Sequence, residues 1–164
     1  MKKHWVIEKE NPRLREKLAK ALGISPITAQ VLINRGIKDE VEAEFFLKSS
    51  LFDIPSPFFL KGMDKAVERI KKAIERSEKI AIYGDYDVDG VTATALLYTF
   101  LRNIGTKVTY YNPHRLKEGY GINIEAIRKL RSEGVSLIVS GDCGITAWRE
   151  VEEAKKLGID FIVT

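Results

Sequence analysis

The sequence predicts an α/β protein built on a parallel, doubly wound sheet and preceded by a helical leader. Three observations carry that expectation. From Lys79 onward, short apolar runs at 79–83, 107–111, 137–140 and 161–163 alternate with stretches of helical period at 91–103, 122–132 and 146–157. Each of those helices stops on a glycine (Gly105, Gly134 or Gly158) just before the next run. Glycine suits that position because the left-handed conformation costs it nothing. Upstream, residues 11–77 carry a helical period only. Strands joined by helices imply crossover connections and a parallel sheet, with chemistry gathered beyond the C-terminal ends of the strands where strand order reverses.

The leader reads as four helices. Leu14, Leu18, Ala21 and Leu22 recur at spacings of three and four, and Gly23 stops the first. Ser25-Pro26 opens a second through Leu32, closed by Gly36. Asp39 caps a third that carries Val41, Ala43, Phe45, Phe46 and Leu47. Asp53-Ile54-Pro55-Ser56-Pro57 reads as an extended surface connection before a fourth helix over 63–77. Phe45, Phe46, Phe58 and Phe59 read as core residues rather than a platform for bases. The expected division is a helical leader over 1–78 and an α/β domain over 79–164.

Composition narrows the class. The 164 residues are 45% apolar with net charge +4 and pI near 9.1, enough to fold and tolerant of a polyanionic partner. Cys143 is the single cysteine, which excludes an internal disulfide and fits a reducing, cytoplasmic setting. No apolar run reaches the ~18 residues of a membrane span. No membrane role is therefore expected.

The chemistry concentrates in Gly84-Asp85-Tyr86-Asp87-Val88-Asp89-Gly90, read as the loop after the first strand. Acids at alternate positions repel: at ~5 Å and an effective dielectric near 20, each pair costs about 3 kcal/mol. Asp142 ends the third strand, and by itself it reads as a cap or turn residue. If the first and third strands are neighbours, four acids meet at one sheet edge. A hard divalent cation is the commonest reason for such a collection. An EF-hand would need a glutamate where Leu96 stands, and a phosphate-binding P-loop would need Lys where Val91 follows Gly90. Asp87-Val88-Asp89-Gly90-Val91 also resembles the nucleophile loop of haloacid-dehalogenase-type phosphatases, with Asp87 as nucleophile. Against that, Gly84, Asp85 and Tyr86 separate Asp87 from the apolar strand, and the loop lies far from the N-terminus.

Residues 83–92 (Tyr-Gly-Asp-Tyr-Asp-Val-Asp-Gly-Val-Thr) closely resemble the first motif of the single-strand-specific exonucleases in the DHH phosphoesterase superfamily. Arg115-Leu116-Lys117-Glu118-Gly119-Tyr120-Gly121 and Asp142-Cys143-Gly144-Ile145 continue the likeness, as do Asn34-Arg35-Gly36-Ile37 and Lys61-Gly62-Met63-Asp64 in the leader. The resemblance implies a DHH-type catalytic domain that degrades single-stranded DNA 5′→3′ in recombination and repair. It implies Mn²⁺ or Mg²⁺, as two ions, with Asp85, Asp87, Asp89 and Asp142 as catalytic metal ligands and Asp142 as the bridge. Arg115 would clamp a phosphate, with Gly119 and Tyr120 at the substrate, while Thr92 and Thr94 open the following helix. Single-stranded DNA, other recombination proteins and a C-terminal part of the same chain are the implied partners. The superfamily's Asp-His-His motif is absent here, since the only histidines are His4 and His114. The α/β domain is therefore expected to be incomplete, an N-terminal fragment inactive alone. A non-catalytic module in which the acids hold a structural cation is a third reading.

Overall fold

The computed structural model describes His4, Val6 and residues 8–164, and these fall into two compact units, Met1–Ser56 and Pro57–Thr164. The first is a helical cluster of α1 (Pro12–Leu22), α2 (Pro26–Asn34) and α3 (Glu40–Lys48). Each helix begins at a side-chain cap. Asn11, Ser25 and Asp39 accept from the backbone N–H groups of Leu14, Thr28 and Glu42. Gly23 ends α1 in the left-handed region at φ 65°. The cluster buries Leu18, Ala19, Ala29, Leu32, Ile37 and Ala43.

The phenylalanines depart from expectation. Phe45 and Phe46 are 60% and 53% exposed, and Phe58 and Phe59 are 63% and 83% exposed. Helix α3 turns Ala43 inward, so Phe45, two positions and about 200° further round the helix, points away from the cluster. The proline-bearing connection is also less extended than expected. Single 3₁₀ turns form at Leu51–Asp53 and Pro57–Phe59, the first closed by a reciprocal Ser50–Asp53 capping box.

The second unit runs α4 (Met63–Glu75), β1 (Lys79–Gly84), α5 (Val88–Asn103), β2 (Val108–Tyr111), α6 (Ile124–Ser132), β3 (Val135–Gly141), α7 (Trp148–Lys156) and β4 (Asp160–Val163). The sheet order is β2-β1-β3-β4, with every pair parallel. Period-two alternation in β1 and β3 sends side chains to two faces. Ile80, Ile82, Leu137 and Val139 pack with Ala73 of α4 and Leu101 of α5. Ala81, Tyr83 and Ile138 pack with Ala126, Ile127 and Leu130 of α6 and Ala154 of α7. Because both faces are covered, β1 and β3 are almost continuously apolar. The sequence reading puts its boundary at residue 78, whereas the units divide at Ser56/Pro57. The apolar face of α4 covers the sheet, so α4 belongs with the strands.

The N-terminal edge of the sheet is tied by Arg69 of α4. Its Nε donates to Asp160 at 2.5 Å and its Nη2 to Glu78 at 2.6 Å, and Glu78 also accepts from the Ser136 hydroxyl. At the opposite edge, β1 leads outward to β2 and the chain then returns to β3 on its other side. The order reverses between β1 and β3, so their C-terminal ends mark the topological switch point of the sheet.

Candidate metal centre

Gly84 and Gly141 are register partners at the ends of β1 and β3, so the residues that follow them, Asp85 and Asp142, emerge side by side. Asp85 is fully buried, and its Oδ1 accepts from the Asp87 N–H at 3.3 Å. Asp87 caps α5: its Oδ1 accepts from the N–H groups of Asp89 at 3.0 Å and Gly90 at 3.2 Å. The acidic segment is therefore only half loop. The cap starts α5 at Val88, placing Asp89 and Gly90 in its first turn rather than ahead of it. Thr92 is correspondingly not a cap, since its hydroxyl donates back to the Val88 carbonyl at 2.6 Å.

This first turn lies directly on the end of β1. A Cβ on Gly84 would stand 2.3 Å from the Gly90 carbonyl oxygen, and one on Gly90 would stand 2.1 Å from Asp85 Oδ1. Only glycine at both positions permits that approach. Asp142 sits at φ 63°, a left-handed conformation that aspartate tolerates better than most residues. Buried Ser140 holds the turn behind it, donating its hydroxyl to the Cys143 carbonyl at 2.9 Å.

The result is a three-carboxylate group. One oxygen from each of Asp85, Asp87 and Asp142 lies within 4.8 Å of the others. Asp89 is not in that group, but its charge reaches it. Desolvation foremost, then the charges of Asp87, Asp85 and Asp89, hold the Asp142 carboxyl above the usual range. The donor set fits a hard divalent cation. All three groups offer oxygen, and buried Asp85 Oδ2 has no hydrogen-bond partner, an uncompensated cost that a cation would remove.

Beside the acids, the loop after β2 sets an aromatic and a basic side chain around Tyr86 of the acidic segment. The Tyr86 ring has the Arg115 guanidinium 5.4 Å from its centroid and the Tyr120 ring edge-on at 5.9 Å. The nearby Asp85 carboxylate raises the Tyr120 phenol above its ordinary value. Gly119 and Gly121 adopt φ 78° and 81° on either side of Tyr120 and shape the loop. The structure thus brings Arg115, Gly119 and Tyr120 to the rim of the acidic group. His114 is not among the grouped ligands; its Nδ1 accepts from the Leu116 N–H at 3.3 Å within the loop.

Several supporting residues escape the sequence reading. Asn112 Nδ2 donates to the Asp85 carbonyl at 2.7 Å and to the Thr94 hydroxyl at 3.3 Å, and Thr94 donates to the Gly90 carbonyl at 2.8 Å. The end of β2 is thereby tied to both halves of the acidic segment. Tyr83 is buried under the loop, donating to the Gly121 carbonyl at 3.1 Å. For Ser140 a signal is present: a hydroxyl interrupts an otherwise apolar strand just before a glycine and an acid.

Acids gathered at the switch point of a parallel sheet define a class. Residues 79–164 match the DHH family, N-terminal domain, and the chain belongs to that family. That membership removes the haloacid-dehalogenase reading of Asp87. Among curated relatives, the single-stranded-DNA-specific exonuclease RecJ of Bacillus subtilis is 42% identical over 163 residues, which is 99% of this chain and 21% of the relative. The crystal structure of exonuclease RecJ bound to manganese superposes with TM-score 0.60 at 38% identity, over 68% of this chain and 28% of that one. RecJ from Thermus thermophilus, in complex with Mn²⁺, gives TM-score 0.63 at 27% identity over 96% of this chain and 21% of that one. The chain spans about a fifth of the length of the curated relative it matches. Among the described residues no helix is long and apolar enough to cross a membrane.

Proposed function

We propose that this chain carries the first half of the metal centre of a divalent-cation-dependent 5′→3′ exonuclease acting on single-stranded DNA in the cytoplasm. The observation that carries the reading is the convergence of Asp85, Asp87 and Asp142 within 4.8 Å at the switch point of the sheet. Asp85, Asp87 and Asp142 would hold Mn²⁺ or Mg²⁺, with Asp89 supplying further negative charge from the first turn of α5. The cation, when bound, supplies a Lewis-acid charge that eases deprotonation of a water and offsets charge on the phosphodiester. The chain's own residues do the positioning. The buried Asp85 fixes one side of the site, the Asp87 cap locks the start of α5 against it, and Asp142 closes the far side. Arg115, stacked on Tyr86, presents N–H donors in a fork that suits a phosphate, and Tyr120 borders the same space.

Mn²⁺ titration followed by electron paramagnetic resonance tests the first part. The 164-residue chain should take up Mn²⁺, and Asp87→Asn or Asp142→Asn should abolish uptake. A chimera in which these residues replace the matched segment of the Bacillus subtilis relative tests the second. It should degrade single-stranded DNA with Mn²⁺, and the same substitutions should silence it. Uptake without any activity in the chimera would favour a structural cation in a binding module. Full activity with Asp142→Asn would remove that residue from the site.

A further inference from the structure

The loop that offers Arg115 also contains an acid positioned to quench it. Lys117 and Glu118 both donate their N–H groups to the His114 carbonyl, at 3.0 and 2.8 Å, which winds residues 114–118 into one helical turn. Opposite charges three residues apart on such a turn ordinarily meet. Here they do not. Glu118 is occupied on both oxygens, Oε1 accepting from the Tyr111 hydroxyl and Oε2 from the His114 N–H at 2.7 Å. Among the described residues Arg115 makes no ion pair, and its guanidinium lies over the Tyr86 ring.

Tyr111 is well placed to keep the two apart. It is the last residue of β2, and its ring stacks on buried Tyr83 at 5.3 Å with 27° between planes. The Lys129 ammonium lies 5.3 Å from the same ring. The hydroxyl is therefore fixed by the sheet rather than by the loop. Burial, then Glu118, pushes its phenol up to about 12, so it remains a donor throughout the neutral range.

We propose that Tyr111 is a positioning residue whose hydroxyl holds Glu118 away from Arg115, leaving the Arg115 donors open to a phosphate of single-stranded DNA. The proposal rests on the exonuclease reading above for the identity of that phosphate. The arrangement itself is independent of it. Without the hydroxyl, Glu118 keeps one partner and gains the freedom to pair with Arg115. Arg115 would then leave the Tyr86 face and compete poorly for an anion.

Three variants of the 164-residue chain test this: Tyr111→Phe, Glu118→Gln and the double substitution. Phenylalanine preserves the stacking on Tyr83, and glutamine preserves an acceptor for the Tyr111 hydroxyl while carrying no charge. One readout is the affinity, with Mn²⁺ present, for a 5′-phosphorylated oligothymidylate bearing a 3′ fluorophore, followed by anisotropy. Tyr111→Phe should weaken binding roughly two- to fivefold, the size of an exposed ion pair. Glu118→Gln alone should leave it unchanged. The double variant should recover wild-type affinity, a reversal that simple loss of loop structure would not produce. The second readout needs no ligand. The Arg115 Hε resonance should lose its ring-current shift from Tyr86 in Tyr111→Phe and regain it in the double variant. A double variant as weak as Tyr111→Phe, or an Arg115 resonance unmoved by Tyr111→Phe, would overturn the proposal. A wild-type chain that takes up no Mn²⁺ would instead count against the exonuclease reading, while the Arg115 resonance still decides the role of Tyr111.

Discussion

Replacing Gly90 by alanine probes the contact on which the acidic group depends. The added methyl would stand 2.1 Å from Asp85 Oδ1 and 2.6 Å from the Asp85 backbone nitrogen. Reaching ordinary contact at 3.4 Å asks for a displacement of about 1.3 Å at the oxygen and 0.8 Å at the nitrogen. The oxygen belongs to a fully buried side chain, and the nitrogen is main chain, so neither yields by a rotamer change alone. Overpacking of this kind costs roughly 1–3 kcal/mol, less up to ~1 kcal/mol regained from the better helix propensity of alanine. Stability should thus fall by no more than about 3 kcal/mol in a urea melt without metal. Cation affinity should fall as well, because Asp85 and the first turn of α5 move apart by about an ångström. At least a tenfold loss of Mn²⁺ affinity is expected, about 1.4 kcal/mol. Gly134→Ala is the matched control. It strains a φ of 85° with open space around it, so it should destabilise by a similar amount and leave Mn²⁺ affinity intact. Gly90→Ala with wild-type Mn²⁺ affinity would refute the close-approach argument.

Three further outcomes follow from the same geometry. Ser140→Ala orphans the Cys143 carbonyl and should cost about 1–3 kcal/mol in chemical denaturation, with weakened Mn²⁺ uptake because the Asp142 turn loses its anchor. Asp142→Asn removes one of several crowded charges while keeping a residue that accepts positive φ. Thermal melts without metal should show a raised Tm, whereas a lowered one would mean the carboxylate has a stabilising partner. Glu78 is held below its ordinary value of 4.5, chiefly by its hydrogen bond from Arg69. A depressed carboxylate contributes stability above its unfolded value, and that contribution drains as pH falls through the folded one. Glu78→Gln should therefore flatten the loss of stability below about pH 4.5, measured by urea melts across pH.

What the sequence reveals and what it hides follow from the range of the interactions. Gly105, Gly134 and Gly158 mark helix ends because the left-handed cap is a local, one-residue requirement, and all three adopt positive φ. Ser25 and Asp39 cap their helices for the same local reason. The meeting of Asp85 with Asp142 is not local. It hangs on β1 and β3 being neighbours, which pattern alone leaves conditional and the register establishes. The start of α5 is hard to place from sequence because Asp87 reads equally well as a loop acid and as a cap. Only its bonds to Asp89 and Gly90 decide. Asn112, Tyr111 and Tyr83 are invisible for a different reason. Each acts through partners from seven to 38 residues away, and no spacing rule announces those. The exposed phenylalanines show the converse limit, since hydrophobicity alone does not say which side of a short helix faces inward.

The pairing of β1 with β3 also governs when the acidic group can exist during folding. Asp85 and Asp142 are far apart in the chain and adjoin only once two crossovers have closed and the central ladder has formed. An unfolded or half-formed chain offers no such group, so a cation held by it would discriminate in favour of the native second unit. At a concentration 100 times its dissociation constant, it would stabilise that unit by about 2.7 kcal/mol. The amides of the central strands should then exchange with solvent more slowly when Mn²⁺ is added. The acids repel one another in the bare protein, yet a bound cation would make them a clasp across the two strands at the centre of the sheet.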